Sequence, residues 1–239
     1  MSTLVNQKAL ITGATKGMGL AIAEKLASLG CHLLLSARDG QALGALKATL
    51  ENDYPNIQVQ YLACDFADGT QLEQLTEWID RVAPDLTILI NNAGIFRPVS
   101  LFDESTEDFE MQMHVNYHTP HLLSRIVGRN MQKNRKGHIF NISSIASRKP
   151  VASAATYTVT KYAVMGLTHI LREALGPYGV KVTEVIPGST LTSSWEGTTV
   201  PADRFVLPTD IADAIATCLQ MSPGANVDEI VVTPKFGNI

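Results

Sequence analysis

Cysteine, charge and long apolar runs are all scarce in this chain, and each shortage removes a class of protein. Three cysteines in 239 residues, Cys31, Cys64 and Cys218, show no C-x-x-C spacing. That excludes a disulfide framework and points to packing residues in a reducing compartment. Charged residues make up only 18% and the formal net charge is −4; nucleic-acid surfaces concentrate Lys and Arg, so no nucleic-acid partner is expected. No apolar run approaches the ~18 residues needed to cross a bilayer. Before the first glycine turn stands only the short apolar stretch 9–11, without a basic leader, so neither a membrane nor a secretory route is expected and the location is read as cytoplasmic. Internal repeats, low-complexity tracts and Pro/Gly-rich linkers are missing too, which leaves residues 1–239 as a single domain with a small-molecule substrate.

Hydrophobic residues, at 45%, supply enough apolar material for a sheet covered on two faces. Short apolar runs at 8–11, 32–36, 57–63, 86–91, 138–143, 180–186 and 229–232 alternate with helical patterns, the signature of βαβ units. Met18, Ile22, Leu26 and Leu29 recur at helical spacing after the first run, with Gly30 as a stop, and Leu72, Leu75, Ile79 and Val82 do so before the fourth. The predicted fold is a doubly wound α/β protein of the Rossmann type, with seven parallel strands and helices on both faces. Two longer helical stretches, 116–134 and 155–176, are apolar along more than one face, which predicts a homo-oligomer, dimer or tetramer.

Directly after the first strand runs Thr12-Gly13-Ala14-Thr15-Lys16-Gly17-Met18-Gly19. Glycines there let the backbone turn sharply and approach a pyrophosphate, whose charge is met by amides at a helix N-terminus. The spacing, GxxxGxG, departs from GxGxxG. With Asn91-Asn92-Ala93-Gly94 after the fourth strand, Tyr157-Thr158-Val159-Thr160-Lys161 on a helix and Pro187-Gly188 after the sixth strand, it resembles the short-chain dehydrogenase/reductase family over nearly the whole chain. Among its members the chain looks nearest to those resembling 3-oxoacyl-acyl-carrier-protein reductase. Its end, 227–231, lacks the glycine pair common after Val-Asp there.

The resemblance implies a nicotinamide cofactor held by Gly13, Thr15, Lys16, Gly17, Met18 and Gly19. Ala37 and Arg38 follow the second strand where NAD enzymes carry an acid. Arg38 can bind a 2′-phosphate through charge-assisted hydrogen bonds and Lys16 can approach it, so the cofactor is read as NADP(H). Solvated surface charges are the bland alternative. A carboxylate at Ala37 is expected to turn preference towards NADH. By the same resemblance Asp65 bonds the adenine amino group, although a strand-end Asp is also an ordinary cap. Asn92, Ala93 and Gly94 flank the adenosine ribose or tie strands together, and Pro187, Gly188 and Thr192 reach the nicotinamide end.

Tyr157 and Lys161 stand one helical turn apart on one face. A phenol is a poor base at neutral pH, and a nearby ammonium favours phenolate. The resemblance makes Tyr157 the acid/base group, Lys161 its partner and a ribose ligand, Ser144 the residue orienting the carbonyl, and Asn116 the holder of a water between Lys161 and solvent. Ser143 competes with Ser144, and Asn116 also reads as a helix polar group without catalytic duty. The implied reaction interconverts a carbonyl and a secondary alcohol by hydride transfer. Its substrate is open among a 3-oxoacyl thioester, a small ketone, a diketone, a sugar and a steroid.

A flap over 189–206 presents Leu191, Trp195 and Phe205 as apolar contacts, or Trp195 as an anchor. Lys133, Arg135 and Lys136 form a docking patch for an acyl-carrier protein or a solvated turn. His118 and His121 share a helix face without a carboxylate or Cys to complete a metal site, so no metal is expected; His114, His138 and His169 are read as surface or packing residues. A cofactor-sensing regulator without turnover would be expected to lose Tyr157 or Lys161. A Rossmann-type methyltransferase would leave that pair unexplained.

Overall fold

The structure is a computed structural model and describes residues 4–239. Seven strands, β1 (Lys8–Thr12), β2 (His32–Ala37), β3 (Val59–Ala63), β4 (Ile88–Asn91), β5 (Gly137–Ile142), β6 (Val180–Pro187) and β7 (Glu229–Val232), form one sheet in the order β3-β2-β1-β4-β5-β6-β7. Every pairing is parallel, so both faces need cover. Helices α1 (Gly17–Ser28), α2 (Gly40–Asp53) and α7 (Pro208–Leu219) cover one face, burying Ile22, Leu26, Leu43, Leu50, Ile211 and Ile215. On the other, α3 (Gly69–Val82), α5 (Thr119–Asn134) and α6 (Ala155–Leu175) bury Leu72, Leu75, Ile79, Leu123, Val127 and Leu175. All three cysteines are free and buried, so they are packing residues.

The order reverses after β3: the chain steps outward from β1 to β3, then returns to lay β4 on the other side of β1. A crevice opens there at the C-terminal ends of the strands, where open α/β sheets take ligands. The β1–β2 register pairs Thr12 with Ser36, and the Gly13 amide donates to the Ser36 carbonyl at 2.7 Å. The glycine turn and the segment 37–38 are thereby set side by side.

Several boundaries differ from the sequence expectation. Ile57 and Leu86 are buried, yet each lies in a turn, its amide bonding Tyr54 and Ala83 respectively; apolar burial without a ladder partner had made them look like strand. The strand expected at 138–143 stops at Ile142. The helix expected at 116–134 starts ten residues earlier as α4 (Thr106–Met113), capped by Ser105 accepting from the Asp108 amide at 3.1 Å. It then passes through a π-helical turn, His114–His118, into α5.

Candidate active site

The glycine turn needs its glycines. Gly13 and Gly17 have φ of +66° and +55°, a region that side chains with Cβ rarely adopt. A Cβ on Gly19 would lie 2.1 Å from the Gly13 carbonyl oxygen, so that residue lets α1 meet the turn. Asp39 caps α2 by accepting from the Ala42 amide and Asp68 caps α3 through the Thr70 and Gln71 amides, whereas α1 begins at Lys16 with no side-chain cap and no acid in its first turn. Its leading amides therefore point into the crevice unspent, a fit to a pyrophosphate. Thr15 and Met18 are half-buried along this turn.

Lys16 and Arg38 are exposed, and neither takes part in an ion pair among the described residues. Two such cations, one in the glycine turn and one just after β2, suit a phosphate monoester and repel nothing in it. Ala37 is buried against the core, so a carboxylate placed there meets a desolvation penalty that the sequence did not reveal. Asp65 lies two residues beyond β3, not at its end, and accepts from the Ala67 amide at 3.0 Å in an Asx-type turn. Asn92 performs the tying role: its Nδ2 donates to the Thr12 carbonyl at 2.8 Å, while the Asn92 and Ala93 amides both donate to Thr12 Oγ1 at 3.0 Å.

The reacting groups converge from α6 and from the segment after β5. Tyr157 is half-buried on α6, its phenol near enough to Ser144 to be influenced by that hydroxyl and its ring met edge-on by Phe96 at 4.9 Å between centroids. Ser144 stands just past β5 and caps a 3-10 turn, Ile145–Ser147. Ser143, its competitor, is buried with a hydroxyl that finds no partner, and the phenol is not among its contacts. Lys161 is buried; its Nζ donates to the Ile142 carbonyl at 3.0 Å and lies 5.4 Å from the Tyr157 ring centroid. A Cβ on Gly94 would stand 3.9 Å from that Nζ, so Gly94 leaves the ammonium an open side.

Burial pushes the Tyr157 phenol above its ordinary value, with the Ser144 hydrogen bond pulling the other way. Burial also brings Lys161 down to about 8, opposed by the carboxylate of Glu184. At neutral pH the pair is thus a protonated phenol beside an ammonium, a proton donor whose anion is stabilised as it forms. Asn116 sits in the π-helical turn, where the ladder admits an extra residue. Its Oδ1 accepts from the Ile95 amide at 2.8 Å, and its Nδ2 donates to the Ile95 carbonyl at 2.9 Å and to Thr160 Oγ1 at 3.3 Å. The side chain clamps the loop after β4 to α6, which the sequence reading did not foresee.

The flap is tied at both ends, Thr190 bridging Val206 and Leu191 donating to the Val206 carbonyl at 2.9 Å. Thr192 rests on the glycine turn, its Cγ2 3.2 Å from where a Cβ on Gly17 would be. Phe205 is buried and packs edge-on against Trp195 at 4.9 Å; it anchors the flap instead of facing a substrate, and Trp195 takes the anchoring role with it. Pro187 closes β6, and the amide after Gly188, that of Ser189, is held by Asn238 Oδ1 at 3.0 Å, a contact with no local signal in the sequence.

Among the other histidines, His138 is buried, stacked on Phe140 and 2.8 Å from Thr183 Oγ1, and His114 lies 2.8 Å from the Phe66 carbonyl. Among the described residues no helix is long and apolar enough to cross a membrane.

Comparison with known proteins agrees with this geometry. The family model described as short chain dehydrogenase matches residues 7–200. An uncharacterized oxidoreductase of Staphylococcus saprophyticus is 29% identical over 98% of this chain and 100% of its own length. The sepiapterin reductase of Chlorobaculum tepidum is 30% identical over 96% of this chain and 97% of its own. Among solved structures, a metagenomic short-chain oxidoreductase in complex with NADP superposes with a TM-score of 0.84 at 30% identity, covering 97% of this chain and 98% of that one. With the glycine turn, the Ser144, Tyr157 and Lys161 cluster and a family match across most of its length, the chain belongs to the short-chain dehydrogenase family.

Proposed function

We propose that the protein is an NADP(H)-dependent oxidoreductase that reduces a carbonyl to a secondary alcohol, with Tyr157 as the acid. The observation that carries this reading is the pairing of Tyr157 with the buried Lys161, whose Nζ lies 5.4 Å from the phenol ring centroid. A bound nicotinamide cofactor supplies the hydride. The residues do the rest: Ser144 donates a hydrogen bond to the carbonyl oxygen as charge gathers there, Tyr157 hands its proton to that oxygen, and Lys161 stabilises the phenolate left behind. Asn116 keeps the loop carrying Gly94 and Ile95 against α6 so that this alignment holds.

Lys16 and Arg38 favour the 2′-phosphate of NADPH, and the NADP bound by the metagenomic relative agrees. Phe96, 48% exposed beside Tyr157, gives the substrate an apolar wall. A ketone or diketone with apolar flanks fits better than a carrier-bound thioester. Lys133, Arg135 and Lys136 lie before β5, about 20 Å of strand away from Ser144, and Arg135 is engaged with the Pro177 carbonyl and the Tyr178 ring. The protein is read as a homo-oligomer, because α6 leaves Val159, Tyr162 and Ile170 exposed along one face.

The test is an NADPH-oxidation screen over sepiapterin, simple ketones, diketones, sugars, steroids and acyl thioesters, run on the wild type and on Tyr157→Phe. Reduction of at least one carbonyl, cut by about 10²-fold or more in the variant with NADPH affinity kept, supports the reading. Equal turnover by the variant rejects Tyr157 as the acid.

A further inference from the structure

A charged residue lies buried behind the catalytic pair. Glu184 in β6 is 0% exposed, on the face that α6 covers, and its register partner Asn141 donates to Thr168 of α6 at 2.8 Å. An ionised carboxylate in such a place is costly unless positive charge or hydrogen bonds meet it. The Ser147 hydroxyl lies 3.2 Å from Glu184 Oε1 and 2.8 Å from the Ser144 carbonyl, one hydrogen shared between them. Oε2 receives no hydrogen bond; the nearest cation towards solvent, Arg148, is 3.6 Å away and is itself paired with Glu229. His169 and Glu229 complete the outer side, each offering an atom within 4.8 Å of the others and of Glu184.

On the inner side stands Lys161. Its Nζ is bonded to Ile142, whose register partner on β6 is Val185, the residue next to Glu184. Adjacent strands run about 4.8 Å apart, so the backbone carbonyl that holds the ammonium lies one strand over from β6, which carries Glu184. The groups around Lys161 are Tyr157 from its own helix, the Ile142 carbonyl from β5 and Gly94 from the loop after β4, with Glu184 on the neighbouring strand β6 as the carboxylate whose charge acts on it.

We infer that Glu184 is a positioning residue of the catalytic site, holding the turn that carries Ser144 through Ser147 and placing a counter-charge behind Lys161. This rests on the reading of Tyr157 and Lys161 as the proton-transferring pair. The carboxylate opposes the pull of burial on Lys161, and so keeps the ammonium charged through the neutral range, where it must stabilise a phenolate.

Glu184→Gln keeps the shape and the acceptor for Ser147 and removes the charge. The expected result is that the alkaline limb of kcat/KM for a reduced ketone moves to lower pH by about one unit, the lower end of what an opposite charge at close range sets. Glu184→Asp, which keeps the charge, should hold the limb near its wild-type position even if the rate falls. NADPH affinity measured by cofactor fluorescence against pH gives a second arm without turnover, because a neutral Lys161 weakens attraction for the anionic cofactor; its decline should move by the same interval.

A wild-type limb in Glu184→Gln, or an equal loss at every pH in both variants, overturns the assignment and leaves Glu184 a packing group. A wild type that reduces no carbonyl overturns the reaction reading instead, and the fluorescence arm then decides on Glu184 alone.

Discussion

Arg38→Ala isolates the choice between the two nicotinamide cofactors. Arg38 is exposed and makes no ion pair among the described residues, and Asp39, not Arg38, caps α2. Its removal should leave folding within about 0.5 kcal/mol, as for other surface changes. The entire effect is then expected in binding: charge-assisted hydrogen bonds to the 2′-phosphate are worth about 1.5–3 kcal/mol, or roughly 10- to 150-fold in NADPH affinity. NADH lacks that phosphate and should change little. Arg38→Asp should go further by repelling it, and is a cleaner reversal than Ala37→Asp, because Ala37 is buried and a carboxylate there would also lower stability. The assay is kcat/KM for both cofactors, with a thermal melt of each variant alongside. A wild type that already favours NADH, or an Arg38→Ala variant that weakens both cofactors equally, refutes the reasoning.

Two further outcomes test the fold and assembly. Burial holds His138 down to about 3 against an ordinary 6.5, so between those values the unfolded chain binds the extra proton and stability falls as pH drops, by up to about 1.4 kcal/mol per pH unit; denaturant melts at pH 7.5 and 5 should show that His138→Gln loses less than wild type over this interval, and parallel losses would count against it. Ile170, 68% exposed on α6, should carry part of the subunit contact, so Ile170→Asp should lower the mass seen by light scattering; an unchanged mass removes that face from the interface.

The sheet was legible because parallel strands buried on both faces read as apolar runs, and the glycine turn because strand before and helix after gave it context. Ser144 was separable from Ser143 only by interval. Other features depend on partners distant in the chain. Asn116 is held by Ile95, 21 residues away, from a π-helical turn whose bonding pattern leaves no compositional mark. Phe205 looked like a substrate contact because nothing local announces that Trp195 covers it. Glu184 reads as an ordinary polar residue in a strand until the register with β5 turns it inward. The cap at Ser105, by contrast, had a visible signal in the acids that follow it.

The reversal of strand order between β1 and β4 also divides labour along the chain. The glycine turn, Arg38 and Asp65 come from the first third, residues 13–65, while Ser144, Tyr157, Lys161, Phe96 and the flap all follow the crossing. A change of cofactor preference can therefore be written at Arg38 without touching the proton donor. Asn92, bonded back to Thr12, is the seam. The architecture separates two inheritable choices, what supplies the electrons and what receives them, and joins them through a few hydrogen bonds between side chain and backbone.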